Sequence, residues 1–217
     1  MHPALVITLA AAAALPLGLW LRHDLNKLQY RSADEQDLPH PGARWWVVWA
    51  AVLAAIAIST AAVLIDDPMR YLPLVPLALS GPWLAAVDFD VLRIANRVLA
   101  PTAAISLLTI VGMAAAAQDW RTLIVPVGSA LMTGGVFAAL HLAAKGGIGF
   151  GDVKLAAVIG LAVGPLGIAA VWLSVLYAAV LGLVWTKATR RVGPIPYGPW
   201  LLCGAGLAAL LHAVAGG

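Results

Sequence analysis

Of the ten acidic residues in the chain, three stand where a carboxylate can do chemistry. Asp88 and Asp90 lie in AAVDFDVLRIANR, directly after an uncharged apolar run, and Asp152 lies in KGGIGFGDVK, at the opening of another. An ionisable group at the edge of a membrane span is costly unless paired or hydrated, so its default reading is functional. Two carboxyl groups brought close together cannot both ionise cheaply and share a proton. One then acts as base toward a water while the other donates to a carbonyl. That combination hydrolyses a peptide bond with no metal and no covalent intermediate. The glycines at 146, 147, 149 and 151 let the backbone beside Asp152 approach a neighbouring helix closely. The competing reading is a cap, because Asp is common at helix ends and Asp152 can meet free N–H groups at the positive end of a helix. Two acids on one membrane face, with a permissive backbone beside one of them, favour the site: Asp88 and Asp152 as the catalytic pair.

The remaining acids need no chemical role. Asp24, Asp34, Glu35 and Asp37 share a polar connection with four basic residues, an ordinary solvated loop. Asp66 and Asp67 open a turn before Pro68, and Asp119 lies in the QDWR turn, where Asp forms turns and caps. Rival chemistries fit less well. His141 and His212 lie in or beside apolar spans, His23 and His40 in the first loop, and no GxSxG accompanies them, so a serine triad has no basis. His141, just ahead of the glycines, is expected to reach a helix-end carbonyl. No HExxH or CxxC is present, which disfavours zinc, and GGIGFGD lacks the GK[ST] phosphate cradle. No cofactor and no metal are called for. The single Cys203 excludes a disulfide framework and reads as a small packing residue in the last span.

These acids must be positioned by helices in a bilayer. At 62% hydrophobic and 11% charged, with a mean hydropathy of +0.93, the 217-residue chain has the composition of a polytopic membrane protein. A bilayer core of about 30 Å takes roughly 20 helical residues. Eight runs meet or approach that length, at 3–21, 45–65, 71–87, 98–117, 122–142, 152–164, 167–186 and 200–215. The expected fold is all-α, about eight transmembrane helices in a single domain over 1–217. The first run lacks Lys or Arg before it and has Arg22 and Lys27 after it, so it is expected to be an uncleaved helix rather than a signal peptide.

Charge sets the orientation. Eleven of the 13 basic residues fall in odd-numbered connections, and only Arg70 and Arg121 in even ones. Such a split on short loops places the odd connections in the cytoplasm and both termini outside. The pI near 9.3 therefore reflects topology and not nucleic-acid binding. Between Lys154 and Lys187 lie 32 uncharged residues, and with both ends inside, the chain crosses twice. Gly164-Pro165-Leu166-Gly167 is the natural reversal. Two full crossings need roughly 40 residues, so the sixth helix is expected to be short or to begin near Gly149 to Asp152. Asp152 then sits in its first turn, on the same face as Asp88.

GGIGFGDVKLAAVIGLAVG resembles the GxGD signature of the type IV prepilin peptidases, aspartyl membrane proteases of bacteria that remove the leader from prepilins and pseudopilins. VDFDVLRIAN, with an Asp at the cytoplasmic end of an earlier span, and IPYGPW at 195–200 extend the likeness over about 71 to 215. The resemblance implies that Asp88 and Asp152 are the catalytic pair. It matches Asp90 to a position that is often acidic but lies outside that pair, and it gives Lys154 and Asn96 family positions without a derivable role. Two departures stand out. Ile94-Ala95-Asn96 replaces the family's Leu-Pro-Asn or Leu-Pro-Asp turn, leaving that turn less fixed. The first connection, 22–44, is short and has no cysteine, where large members carry a zinc-binding CxxC region linked to N-methylation.

What the resemblance implies is a peptidase-only endopeptidase of the bacterial inner membrane, acting at the cytoplasmic face on a prepilin or pseudopilin. Its partners are that substrate and the lipid bilayer, with no nucleic acid. The alternative is a transporter or channel subunit using the same acids for a cation or proton, although no acid lies at mid-membrane and no matching halves with broken helices are evident. A catalytically dead scaffold is a third reading. The presenilin and signal-peptide-peptidase group also uses GxGD, but this chain lacks its Tyr-Asp pair and Pro-Ala-Leu segment.

Overall fold

The structure is a computed structural model, and it describes residues 2–65, 67–144, 148–190 and 193–216. Among these residues all regular structure is helical. The helices are α1 (Pro3–Asn26), α2 (Trp45–Leu64), α3 (Val75–Val91), α4 (Asn96–Ala117), α5 (Ile124–Ala143), α6 (Phe150–Val163), α7 (Ile168–Thr189) and α8 (Gly198–Val214). They coincide with the eight expected runs. Short 3₁₀ turns at Pro68–Leu74 and Trp120–Leu123 lead into α3 and α5, as suits prolines and polar residues at a first turn.

Six of these segments are long and apolar enough to cross a membrane: Pro3–Asn26, Trp45–Leu64, Pro68–Val91, Asn96–Ala117, Trp120–Ala143 and Ile168–Thr189. The other two are shorter, 17 residues for α8 and 14 for α6. At 1.5 Å per residue α6 is about 21 Å long, less than a hydrocarbon core. It does not need to match one, because Val153, Leu155, Ala156 and Val158 to Val163 are all buried in protein. The tight reversal expected after it is present as a 3₁₀ turn over Gly164–Leu166, followed by Gly167 at φ +103°, a conformation glycine alone accepts readily.

Three antiparallel hairpins form, α1 with α2, α5 with α6 and α7 with α8; the first and the third pack against α3, and the α5–α6 pair joins them through α4 and α8. The span containing α3 is 61% buried, against 17–28% for the other five. It touches α1, α2, α4 and α8, while α6 touches α4, α5 and α8. Small residues allow these contacts. A Cβ on Gly160 of α6 would lie 2.3 Å from Thr133 Oγ1 and 2.5 Å from the Ser129 carbonyl oxygen of α5, and one on Gly204 of α8 would lie 2.2 Å from the Ser174 carbonyl oxygen of α7. Such close backbone approach is how helices associate where no hydrophobic drive separates helix from lipid.

Two expectations are corrected. The first connection is not an ordinary solvated loop, because Arg31 and Arg44 are buried within it. Arg31 pairs with Asp90 Oδ1 at 2.8 Å, Arg44 with Asp90 Oδ2 at 3.1 Å, and the Tyr30 hydroxyl donates to the same carboxylate. Arg31 also donates to the carbonyls of Leu38 and Pro39 at 2.8 and 2.9 Å. Burial, and next the hydrogen bond to Asp90, push the Tyr30 phenol up, and the bond to Asp90 does the same for Arg31. Cys203 does not fill the core. It is exposed on the outside of α8, which packs inward through Leu201, Gly204, Ala205 and Ala208.

Candidate active site

Asp88 occupies the last turn of α3 and Asp152 the first turn of α6, so the two most buried helices each deliver one carboxylate to the same end of the bundle. Both side chains are enclosed, the residues being 4% and 8% exposed. Asp88 lies within electrostatic reach of Asp152, and the charge of Asp152 also reaches the Tyr197 phenol. Asp88 Oδ2 accepts the Gly198 N–H at 2.9 Å, the first amide of α8. Asp152 is three residues beyond the Gly149 N-cap of α6, and its carboxylate lies against the Gly149 amide. Two helix N-termini, each the positive end of a macrodipole, thus converge on the pair, which is how an apolar bundle tolerates them.

The capping reading of Asp152 is only half satisfied. Asp152 Oδ1 is buried with no hydrogen-bond partner among the described residues. A buried carboxylate oxygen left unpaired carries a desolvation cost. The glycines at 146 and 147, part of the sequence argument, lie outside the described residues, whereas Gly149 and Gly151 take defined roles. A Cβ on Gly149 would lie 3.2 Å from Asp152 Oδ2. One on Gly151 would lie 3.0 Å from Ile94 Cβ and 3.1 Å from the Ile94 amide nitrogen. Ile94 also reaches α8, its Cδ1 lying 2.7 Å from where a Cβ on Gly198 would be.

The turn after Asp88 is therefore anchored without a proline: Leu92 adopts φ +53° as the C-cap of α3, and the buried Ile94 is seated between Gly151 and Gly198. Lys154 and Asn96, matched earlier without a role, bond to each other. The Lys154 ammonium donates to Asn96 Oδ1 at 3.2 Å and ties the start of α4 to α6. His141 behaves as a clamp: its Nδ1 meets the Ile148 carbonyl oxygen at 2.6 Å and its ring packs on Phe150, fixing the entry to α6. Asp90 is held by Tyr30, Arg31 and Arg44 and takes no part in the Asp88–Asp152 grouping. Asp119 caps its turn by accepting the Arg121 N–H at 3.0 Å.

Sequence reasoning did not assign roles to Gly198, Tyr197 or Ile94. The signal for the first two was IPYGPW, a glycine wedged between an aromatic and a proline just ahead of a helix. Its meaning depends on α8 meeting α3, which no local pattern states. Tyr197 packs its ring on Phe137 of α5 at 5.9 Å. Among the described residues no group of three or more His, Cys, Asp or Glu could hold a metal ion.

Fold and site together define a polytopic helical membrane protein with a buried carboxylate pair gathered at one end. Residues 77–187, about half of the chain and containing both acids, match the type IV leader peptidase family. The chain belongs to that family. A stretch of 64 residues is 46% identical to the prepilin leader peptidase/N-methyltransferase of Xanthomonas campestris pv. campestris, covering 28% of this chain and 22% of that protein. No solved structure matches the chain.

Proposed function

We propose that the protein is an aspartyl endopeptidase that removes the leader from type IV prepilin-like or pseudopilin substrates at the cytoplasmic face of the bacterial inner membrane. The observation that carries this reading is the convergence of Asp88 and Asp152, from two different helices, at one end of the bundle, with one carboxylate oxygen unpartnered among the described residues. Membership of a leader peptidase family supports it.

In the proposed reaction the pair holds one proton between two carboxyls. The ionised carboxylate takes a proton from a water whose oxygen attacks the scissile carbonyl carbon, while the protonated one gives its proton to the carbonyl oxygen. The tetrahedral species collapses as the carbon–nitrogen bond breaks. The leaving nitrogen takes a proton from one carboxyl, and the new carboxylic product returns the pair to its singly protonated state. A substrate whose apolar helix spans the bilayer and whose basic leader stays in the cytoplasm presents its scissile bond at this level.

The reading is of a peptidase-only form. Larger members of the family bind zinc through a CxxC region, and the sole cysteine here, Cys203 on α8, cannot supply that donor set. No methyl transfer is therefore proposed.

Co-expression with a candidate prepilin and a gel assay for leader removal tests the proposal. Asp88→Asn and Asp152→Asn are each expected to lower the rate by about 100-fold or more. Cleavage at the parental rate by either variant overturns the dyad. Cation uptake into liposomes lost in the same variants, with no proteolysis by the parent, overturns the enzyme in favour of a transporter.

A further inference from the structure

A groove of about 410 Å³ opens between α1, α3 and α4, away from the carboxylate pair. Its wall is apolar, formed by residues such as Leu17, Trp20, Leu79, Pro101 and Ile105, and its mouth is formed by Asp24, Trp83 and Arg97. From Arg97 to Ile105 the groove runs about 12 Å along α4, so the charged mouth lies at the end of the bundle that carries Asp88 and the apolar part points into the bilayer. Trp83 joins the two charges. Its Nε1–H donates to Asp24 Oδ2 at 3.0 Å, and the Arg97 guanidinium sits 5.1 Å over its ring. Neither Asp24 nor Arg97 forms an ion pair among the described residues. Arg97 also borders a second cavity of about 350 Å³ beside Gln29, Arg93 and Asn96. There Arg93 is already committed to Glu35 and to the Tyr30 carbonyl, which leaves Arg97 as the guanidinium facing both cavities without a carboxylate partner.

We infer that this groove binds a phosphatidylethanolamine molecule, with its phosphate on Arg97, its ammonium on Asp24 and one acyl chain along Leu17, Leu79 and Ile105. Charge complementarity selects the occupant. The mouth offers one cation and one anion on either side of an indole, and an ethanolamine headgroup carries the opposite pair on adjacent groups. A choline headgroup has no N–H to give to Asp24, and a glycerol headgroup has no cation. Basic pockets between membrane helices at the cytoplasmic side commonly hold lipid phosphates, and arginine suits a phosphate better than lysine does. The site is separate from the proteolytic reading, and lipid retention is measured without any cleavage.

The test is native mass spectrometry of the whole chain in detergent, incubated with phosphatidylethanolamine, phosphatidylglycerol or phosphatidylcholine of identical acyl chains. One phosphatidylethanolamine should be retained in preference to the others. Arg97→Gln should retain about fivefold less, and Asp24→Asn should lose the preference for ethanolamine over glycerol headgroups. Ile105→Trp, which fills the groove and leaves the charges alone, should also release the lipid and serves if Arg97→Gln fails to fold. Equal retention by these variants and the parent, or retention blind to headgroup, overturns the inference. A photo-crosslinking residue at Leu79 should capture phospholipid. Capture of a leader-bearing substrate or of a second copy of the chain instead overturns it.

Discussion

Asp88 and Asp152 are held in an apolar bundle by backbone amides and helix ends, with no Lys or Arg paired to either among the described residues. A counter-charge would lock both acids in their ionised form, whereas an amide and a helix terminus leave room for one proton to move between them. Gly198 is the critical support. A Cβ there would come 3.0 Å from Asp88 Oδ2 and 2.7 Å from Ile94 Cδ1, so Gly198→Ala must displace the carboxylate or the side chain seated against it. Leader cleavage should fall about 10- to 100-fold, since small misplacements of reacting groups have effects of that size. Gly206→Ala, with nothing within 4 Å of the added Cβ, should cleave at the parental rate in the same gel assay. Asp90 is the contrasting acid. Its side chain is 7% exposed and is shared by two guanidiniums and a phenol, and removing one member of such a group strands the others. Asp90→Ala is expected to cost about 3–5 kcal/mol of stability, read as a lowered thermal midpoint of the detergent-solubilised protein. An unchanged midpoint would mean that the network contributes nothing net.

Among the elements, α6 shows how burial replaces length. It is too short for an ordinary span, yet it is enclosed by α4, α5 and α8, and its fit against α5 depends on Gly160. Gly160→Val would drive new atoms into Thr133 and the Ser129 carbonyl, both fixed in a packed helix face. About 3 kcal/mol or more of destabilisation should follow, seen as loss of folded protein by size-exclusion chromatography, while Gly135→Ala on the open side of α5 should be tolerated. The sequence announced these helices clearly. Eight apolar runs became eight helices, and the interval between Lys154 and Lys187 predicted a short sixth helix and a glycine-proline reversal. Those features are local, set by hydrocarbon length and by proline and glycine. The Asp90 network was hidden because Arg31 and Arg44 come from a connection whose charges nearly balance, and balanced composition looks the same whether the charges are solvated or buried. Ile94 was hidden for a related reason: with Ala95 where the family has proline, the turn looks unfixed until two glycines from other helices close around the isoleucine.

At the scale of the whole molecule, the helices bring four connections together at the end bearing the carboxylates, the first, third, fifth and seventh. Glu35, in the first, pairs with Arg93 in the third at 3.0 Å, and α8 sets its first amide on Asp88 after the turn that follows α7. Asp67 and Asp119 lie in the turns that enter α3 and α5 at the other end. Eleven basic residues belong to the connections of the first end, with two in the others, so the carboxylate end is expected in the cytoplasm. Cysteine labelling reads this directly. In a Cys203→Ser background, Asp67→Cys and Asp119→Cys should react with a membrane-impermeant maleimide in spheroplasts. Asp34→Cys and Thr189→Cys, also at exposed positions, should react only after the membrane is opened. Reaction of all four in intact spheroplasts, or the reverse pattern, would overturn the orientation. The reverse pattern would also remove the proposed cleavage from the side on which a basic leader is made, because the carboxylates and the Asp34 connection belong to one end of a single bundle and cannot be turned separately.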